Sequence, residues 1–123
     1  ALSGLAAARA WPDAPRPVAA SDLLPERVLA GDDHARRALL ERIHRPLVDS
    51  GGGLLETAAA YLDEASLEAT ARVLFVHPNT VRYRLGRIAQ VTGQDLTSSR
   101  DAFTVRLALA LGRLGAAAPQ SWR

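Results

Sequence analysis

Apolar side chains recur every three or four residues through most of this chain, which is the spacing of one face of an α-helix. The recurring positions are Leu39, Leu40, Ile43 and Leu47, then Leu54, Leu55, Ala58 and Leu62, then Leu67, Ala71, Leu74 and Phe75, and finally Val81, Leu85 and Ile88. No segment alternates with the period of two that indicates a strand. The pattern therefore predicts an all-α fold, a helical bundle with little loop between its later helices.

Proline and glycine divide the chain into segments. Three prolines between residues 11 and 17 interrupt any helix formed by residues 1–10, so we interpret residues 1–17 as the end of an upstream region and a linker. The chain begins in mid-pattern, and we expect it to be a fragment of a longer protein. Residues 18–50 are predicted to be a helical lead-in, residues 51–117 a separate domain, and residues 118–123 a tail.

The lead-in is predicted to contain two helices. Pro25–Ala30 favours a short helix that Gly31 ends, and Asp32 or Asp33 can cap a longer one. Pro46 is expected to end or kink the longer helix. The glycine-rich joint at residues 49–53 then separates the lead-in from the next domain.

The last predicted helix runs from Ser98 or Ser99 to about Leu114 and has more apolar residues than one stripe requires. These residues are Phe103, Val105, Leu107, Leu109, Leu111 and Leu114. The additional apolar residues predict that this helix either pairs with a second chain or packs against an upstream region of the protein. If this helix pairs chains, Leu109→Asp or Leu111→Asp should change the mass measured in solution.

Two short helices stand close together at Ser66–Phe75 and Pro78–Gln90. Proline is favoured at the first position of a helix because its missing N–H would have no partner there, so Pro78 is predicted to begin the second helix and His77 to cap it. Two short helices around a tight turn, the second one basic, are typical of a helix-turn-helix, whose second helix lies in the major groove of DNA.

Winding the second helix at about 100° per residue separates two faces. The apolar face holds Val81, Leu85 and Ile88; the opposite face holds Asn79, Tyr83, Gly86 and Gln90, with Thr80 and Arg87 on one shoulder, Arg82 on the other and Arg84 at the boundary. Asn79 and Thr80 are the best-placed candidates to contact base edges. We expect Tyr83 to bond a phosphate, and Arg84 either to bind guanine or to hold a phosphate.

The charges support a phosphate-bearing partner. The net charge is only +2, but no acidic residue occurs between Glu68 and Asp95, a stretch that contains Arg72, Arg82, Arg84 and Arg87. This local cluster of positive charge indicates a nucleic acid as the partner more strongly than the total charge does. The alternative is an ordinary solvated helix face.

Other classes of function have less support. His34, His44 and His77 are scattered without metal-ligand spacing, and cysteine is absent. No serine, glycine-rich loop or carboxylate pair lies where catalysis would need it, so we expect no enzyme, no catalytic residues, no metal and no cofactor. No apolar run reaches the roughly 20 residues that cross a bilayer, and we expect a cytoplasmic protein without a membrane partner.

Residues 54–96 also resemble a known family. The segment HPNTVRYRL, with LFV before it and TG and DL after it, is similar to the C-terminal helix-turn-helix domain of PucR-family transcriptional regulators, and SDLLPERVLAGD resembles their actinobacterial branch. The resemblance implies an output domain of a larger regulator that binds double-stranded DNA, with Pro78–Gln90 as recognition helix. Within that branch the chain is most similar to regulators of fatty-acid synthesis genes.

The chain departs from the family pattern at two positions. The family usually has glycines before the supporting helix, where this chain has Glu64 and Ala65, so we expect a tighter or more helical turn. Gly86 replaces a frequent arginine, which removes one possible phosphate contact.

The resemblance also implies a homodimer. Two recognition helices roughly 34 Å apart would predict a palindromic operator. Any effector is expected to bind regions outside this chain. The alternative function is a protein-interaction or dimerisation module that uses the apolar last helix.

Overall fold

The computed structural model describes residues 23–117, with side-chain surroundings up to residue 115. Its helices are α1 Leu24–Leu29, α2 Asp33–Leu39, a π-helical turn Leu40–His44, α3 Arg45–Ser50, α4 Leu54–Glu64, α5 Leu67–Leu74, α6 Pro78–Thr92 and α7 Ser99–Ala117. The described residues contain no strand, which confirms the all-α prediction. The helix, linker and tail predicted for residues 1–17 and 118–123 lie outside the described part.

Polar side chains cap the N-termini of three helices. The Asp32 carboxylate accepts a hydrogen bond from the Ala35 N–H at 3.1 Å, and the Ser66 hydroxyl accepts one from the Ala69 N–H at 3.2 Å. Ser98 accepts from the Asp101 N–H at 3.4 Å. Each bond satisfies an amide that has no partner within its own helix.

The helical course does not end at Pro46, so that part of the prediction is wrong. Proline has no N–H, and in a regular α-helix its ring collides with the carbonyl four residues earlier. Here the turn before it is wider, because the Arg45 N–H bonds the Leu40 carbonyl five residues back. This π-helical turn accommodates the proline, and the chain continues to Ser50 as α3.

One hydrophobic core joins the lead-in to the later helices. The residues Gly51, Gly52 and Gly53 form a glycine turn between α3 and α4. The core includes Leu39, Ile43 and Leu47 from before this turn and Leu54, Ala58, Ile88, Val105 and Leu109 from after it. A partly buried ion pair adds to this contact, since Arg100 of α7 donates two hydrogen bonds to Glu26 of α1, whose exposed fraction is 3%. Helices α1 to α3 therefore pack on the same core as α4, α6 and α7.

Two tight turns set the arrangement of α4, α5 and α6. Ala65 ends α4 in the left-handed conformation (φ 55°), and its N–H bonds the Tyr61 carbonyl at 2.8 Å. Phe75 ends α5 in the same conformation (φ 58°), and the next N–H, of Val76, bonds the Ala71 carbonyl. Ala65 is left-handed, so of the two expected outcomes the more helical turn is not formed. Both turns close without glycine, which is the residue that usually occupies this conformation.

Helix α7 lies across the core, and this corrects one prediction. Leu109 and Leu111 are 3% and 6% exposed because they pack against the chain's own helices. A charge at either position would disrupt the core, so these residues cannot test chain pairing. Among the large apolar residues of α7 up to residue 115, Phe103 and Leu114 are the exposed ones, at 37% and 50%.

Candidate nucleic-acid interface

The recognition-helix candidate α6 begins at Pro78 with His77 as its cap, as the sequence predicts. The His77 Nδ1 accepts a hydrogen bond from the Asn79 N–H at 2.9 Å. This bond holds the first turn of α6 and leaves Asn79 at the exposed N-terminal end of the helix. That end is the part of a recognition helix that contacts base edges in helix-turn-helix proteins.

One side of α6 fixes the helix to the bundle. Val81 and Ile88 are fully buried, and Leu85 is half-buried between them. Through this side α6 packs on α3, α4 and α5. The inward face is therefore the one that the 100° winding predicts, and the opposite face is free of neighbours in the described part of the chain.

The outward face is polar and open to solvent. Asn79, Tyr83, Gly86 and Gln90 are all exposed, and the Tyr83 side chain has an exposed fraction of 68%. A tyrosine packed on a neighbouring helix would not have this exposure. The ring and hydroxyl of Tyr83 are thus available to a ligand, together with the amides of Asn79 and Gln90.

Two arginines lie along the flanks of this face and bond its amides. Arg82 donates to the Asn79 Oδ1 at 2.6 Å, and Arg87 donates to the Gln90 Oε1 at 2.6 Å. Each carbonyl oxygen keeps a second lone pair, and each NH₂ group keeps both donors. The bonds therefore orient the amides without using up the groups that would pair with a base.

Arg84 differs from the other arginines of α6 because it is directed into the protein. It is half-buried and donates to the Thr57 hydroxyl of α4 at 3.3 Å, and Thr57 is fully buried. Its guanidinium also lies against Gly53, where a Cβ would be 2.8 Å from the Arg84 Nη1. Arg84 thus joins α6 to the start of α4, a contact that the sequence analysis did not foresee.

A cleft beside α6 also escaped the sequence analysis. It has a volume of ≈ 330 Å³ and separates the glycine turn from one shoulder of the helix. Its lining is Ser50, Gly51, Gly52, Leu54, Thr80, Tyr83, Arg84 and Arg87, with no carboxylate. The run of three glycines was a visible signal, but only the fold places it next to α6.

Phe75 is a second surface feature that periodicity did not predict. It belongs to the apolar stripe of α5 by spacing, but its side chain is 95% exposed because the left-handed backbone turns it away from the core. The turn between α5 and α6 thus presents an aromatic ring beside the cap of α6.

The described residues give no support to other kinds of site. No three His, Cys, Asp or Glu side chains among them could hold one metal ion, and none of their helices is both long and apolar enough to cross a membrane. The cation-bearing outward face of α6 remains the candidate site.

The sequence of this part of the chain matches a known family. The model of the family described as "PucR C-terminal helix-turn-helix domain" matches residues 54–111. Residues 54–111 form a PucR-type helix-turn-helix domain. This match covers α4, α5 and α6 with most of α7, and the resemblance found in the sequence is confirmed.

Curated relatives and a solved structure extend the match beyond these residues. An uncharacterized protein of Mycobacterium tuberculosis is 53% identical over 120 residues, covering 97% of this chain and 29% of that protein. The carbohydrate diacid regulator of Escherichia coli is 36% identical over 84 residues, covering 68% of this chain and 22% of that regulator. The chain thus spans less than a third of the length of these relatives.

The crystal structure of a regulator of polyketide synthase expression from Bifidobacterium adolescentis is also similar. It has a TM-score of 0.86 and 44% identity, and the match covers 93% of this chain and 48% of that one. Because this coverage is wider than residues 54–111, the lead-in helices belong to the shared fold as well. Both named relatives are thus described as regulators, and neither is described as an enzyme.

Proposed function

We propose that this chain binds double-stranded DNA sequence-specifically as the output domain of a bacterial transcriptional regulator, with α6 in the major groove. The supporting observation is the outward face of α6, which is polar, exposed and flanked by arginines, while its apolar face is buried. A DNA-reading helix needs this division, because polar groups must reach base edges while the helix stays fixed to its domain.

The proposal gives each outward residue a role. Asn79 and Thr80 contact base edges near the start of α6, and Tyr83 donates its hydroxyl to a phosphate or base. His77 holds the first turn, and Arg82 and Arg87 contact phosphates on the two flanks. Arg84 acts mainly by positioning α6 on α4, through Thr57.

Selection of bound duplexes from a random pool tests this function. We expect one enriched sequence motif, and an affinity that falls with salt at a log-log slope of about −0.9 per phosphate neutralised. An enriched sequence would also allow a genomic search for target genes, including the fatty-acid synthesis genes that the resemblance suggests. A pool without enrichment, or a slope near zero, would contradict the proposal.

Two substitutions separate base contacts from phosphate contacts. Asn79→Ala should reduce discrimination at one base pair by about 1–3 kcal/mol, because one bidentate contact is lost. Arg82→Ala should weaken binding to all sequences by a similar factor and lower the salt slope by about 1. Both residues are exposed, so thermal melting should be nearly unchanged. Equal effects of the two variants across a panel of operators would refute this assignment of roles.

We further propose that the domain acts as a homodimer on a palindromic operator, paired through α7. Phe103, Leu107, Ala110 and Leu114 recur with the four-three-four spacing of paired helices, on a partly exposed side of α7 opposite Val105. The stripe borders a groove of ≈ 390 Å³ that contains Asp63 as well as Arg106 and Arg113. In a two-fold pair, such opposite charges can face each other across the axis.

Solution mass tests the pairing. Leu114→Asp should shift the chain from dimer to monomer, because it places a charge in the proposed interface while leaving the core intact. Leu29→Asp is the matched control, because Leu29 is an exposed leucine on α1 and does not line the groove. A wild-type chain that is monomeric with and without DNA, or a variant that remains dimeric, would contradict pairing through α7.

A further inference from the structure

The cleft between the glycine turn and α6 lies where a DNA strand would pass. An α-helix with side chains is about 10–12 Å across and the major groove about 12 Å wide, so both flanks of an inserted helix meet phosphate walls. The Thr80 and Arg87 shoulder is one of these flanks, and the cleft opens beside it. With α6 in the major groove, the cleft therefore lies next to the sugar-phosphate backbone of one DNA strand.

The lining of the cleft suits a phosphate. Two guanidinium groups, of Arg84 and Arg87, and two hydroxyl groups, of Thr80 and Tyr83, are among its lining groups, and no carboxylate is present. Arg87 and Arg84 are each only half-buried, which keeps their charge close to a ligand at the surface. Guanidinium and hydroxyl donors are the groups that bond phosphate oxygens in protein–DNA complexes.

The opposite wall of the cleft is main chain. Gly51 and Gly52 have φ values of 62°, and a Cβ at either position would meet no atom within 4 Å, so there is open space beside these two residues. A strand can therefore approach this backbone closely. Helix α4 begins directly after the turn without a side-chain cap. The positive end of its dipole therefore also favours an anion in the cleft.

We infer that this cleft is a seat for one backbone phosphodiester of the bound duplex, held between the glycine turn and Arg87. The inference rests on the proposed DNA-binding function. It adds a second part of the chain, residues 50–52, that faces the DNA strand. Arg84 contributes charge at the side of the cleft while its bond to Thr57 keeps α6 at a fixed distance from the turn.

Charge placed at the rim of the cleft tests the seat. Ser50 is exposed at the end of α3, so Ser50→Glu adds a negative charge without burying it. We expect this variant to weaken binding to the selected duplex by about five- to tenfold, because the carboxylate repels the seated phosphate. Ser50→Gln has the same shape without the charge and should bind as the wild type does. Leu29→Glu adds the same charge on α1, which does not contact α6 within the described chain, and should change affinity less than about twofold.

Neutral linkages in the DNA locate the phosphate. Duplexes with a single methylphosphonate at successive positions are measured with the wild type, Ser50→Glu and Arg87→Ala. At one linkage, the same for both variants, neither substitution should weaken binding any further, because the phosphate charge that each substitution affects has been removed. This coupling identifies one phosphate that lies between the glycine turn and Arg87.

The outcomes separate this inference from the proposed function. If the wild type selects a sequence but Ser50→Glu binds normally, or if the two variants couple to different linkages or to none, the seat is overturned and DNA binding stands. If Ser50→Glu fails to fold, Ser50→Asp carries the same charge on a shorter side chain and replaces it in the series, because Arg87→Ala alone does not probe the glycine turn. A wild type that selects no sequence overturns both.

Discussion

Helices α6 and α7, at 15 and 19 residues, are the two longest in the described chain and are buried in different ways. In α6 a narrow apolar stripe enters the core and the polar half remains outside. In α7 a broad face is buried, including Val105 and Leu109, and a second apolar stripe is only partly covered. The comparison shows that α6 is a surface held in place by its inner side, whereas α7 packs through its buried side on α1, α2, the π-helical turn and α4.

The largest expected difference concerns leucines on the two sides of α7. Leu109→Ala should lower the free energy of unfolding by about 2–5 kcal/mol, because it leaves a cavity in the core. Leu114→Ala makes the same chemical change at a half-exposed site and should cost less than about 1 kcal/mol. Urea denaturation at a concentration where the chain is monomeric measures both. Similar losses at the two positions would contradict the division of α7 into a buried and an exposed side.

A smaller effect is expected where α7 meets the π-helical turn. A Cβ at Gly112 would lie 2.2 Å from the His44 Nε2, so Gly112→Ala forces the ring or the helix to move and should cost about 1–3 kcal/mol. Gly115→Ala is the control on the same helix, since no atom lies within 4 Å of its Cβ position. It should be neutral or slightly stabilising. Equal melting temperatures for the two variants would show that α7 does not approach His44 so closely.

The smallest effect, and one of opposite sign, is expected on α6. Gly86 is exposed inside the helix with open space around its Cβ position, so Gly86→Ala should raise the free energy of unfolding by about 0.5–1 kcal/mol. Alanine loses less backbone freedom than glycine on folding. Denaturation of the free domain measures this change, and a loss of stability would mean that the outward face of α6 contacts other parts of the protein.

Local patterns predicted the features that depend on neighbours in sequence. The caps at Asp32 and His77 follow from side chains that can reach amides two or three residues away. The faces of α6 follow from helical geometry, which places Val81 and Ile88 together whatever the rest of the fold does. Pro46 is the exception, because the wider turn before it depends on where the surrounding helices hold the chain.

Features that depend on distant residues could not be predicted in this way. Helical spacing places Arg84 at the boundary of the two faces of α6, but it does not indicate that Arg84 bonds Thr57, which lies 27 residues earlier. Leu109 and Leu114 both belong to an apolar helix, and their burial differs because other helices cover only one side of α7.

The sequence by itself determined that this chain is helical, that it contains a PucR-type helix-turn-helix, and that α6 has one polar and one apolar face. Those properties come from backbone geometry and side-chain spacing over a few residues. The tertiary structure decided which arginine supports the helix, which leucines form the core and that the glycine turn lies beside α6. These depend on contacts between residues far apart in the chain, which packing alone brings together.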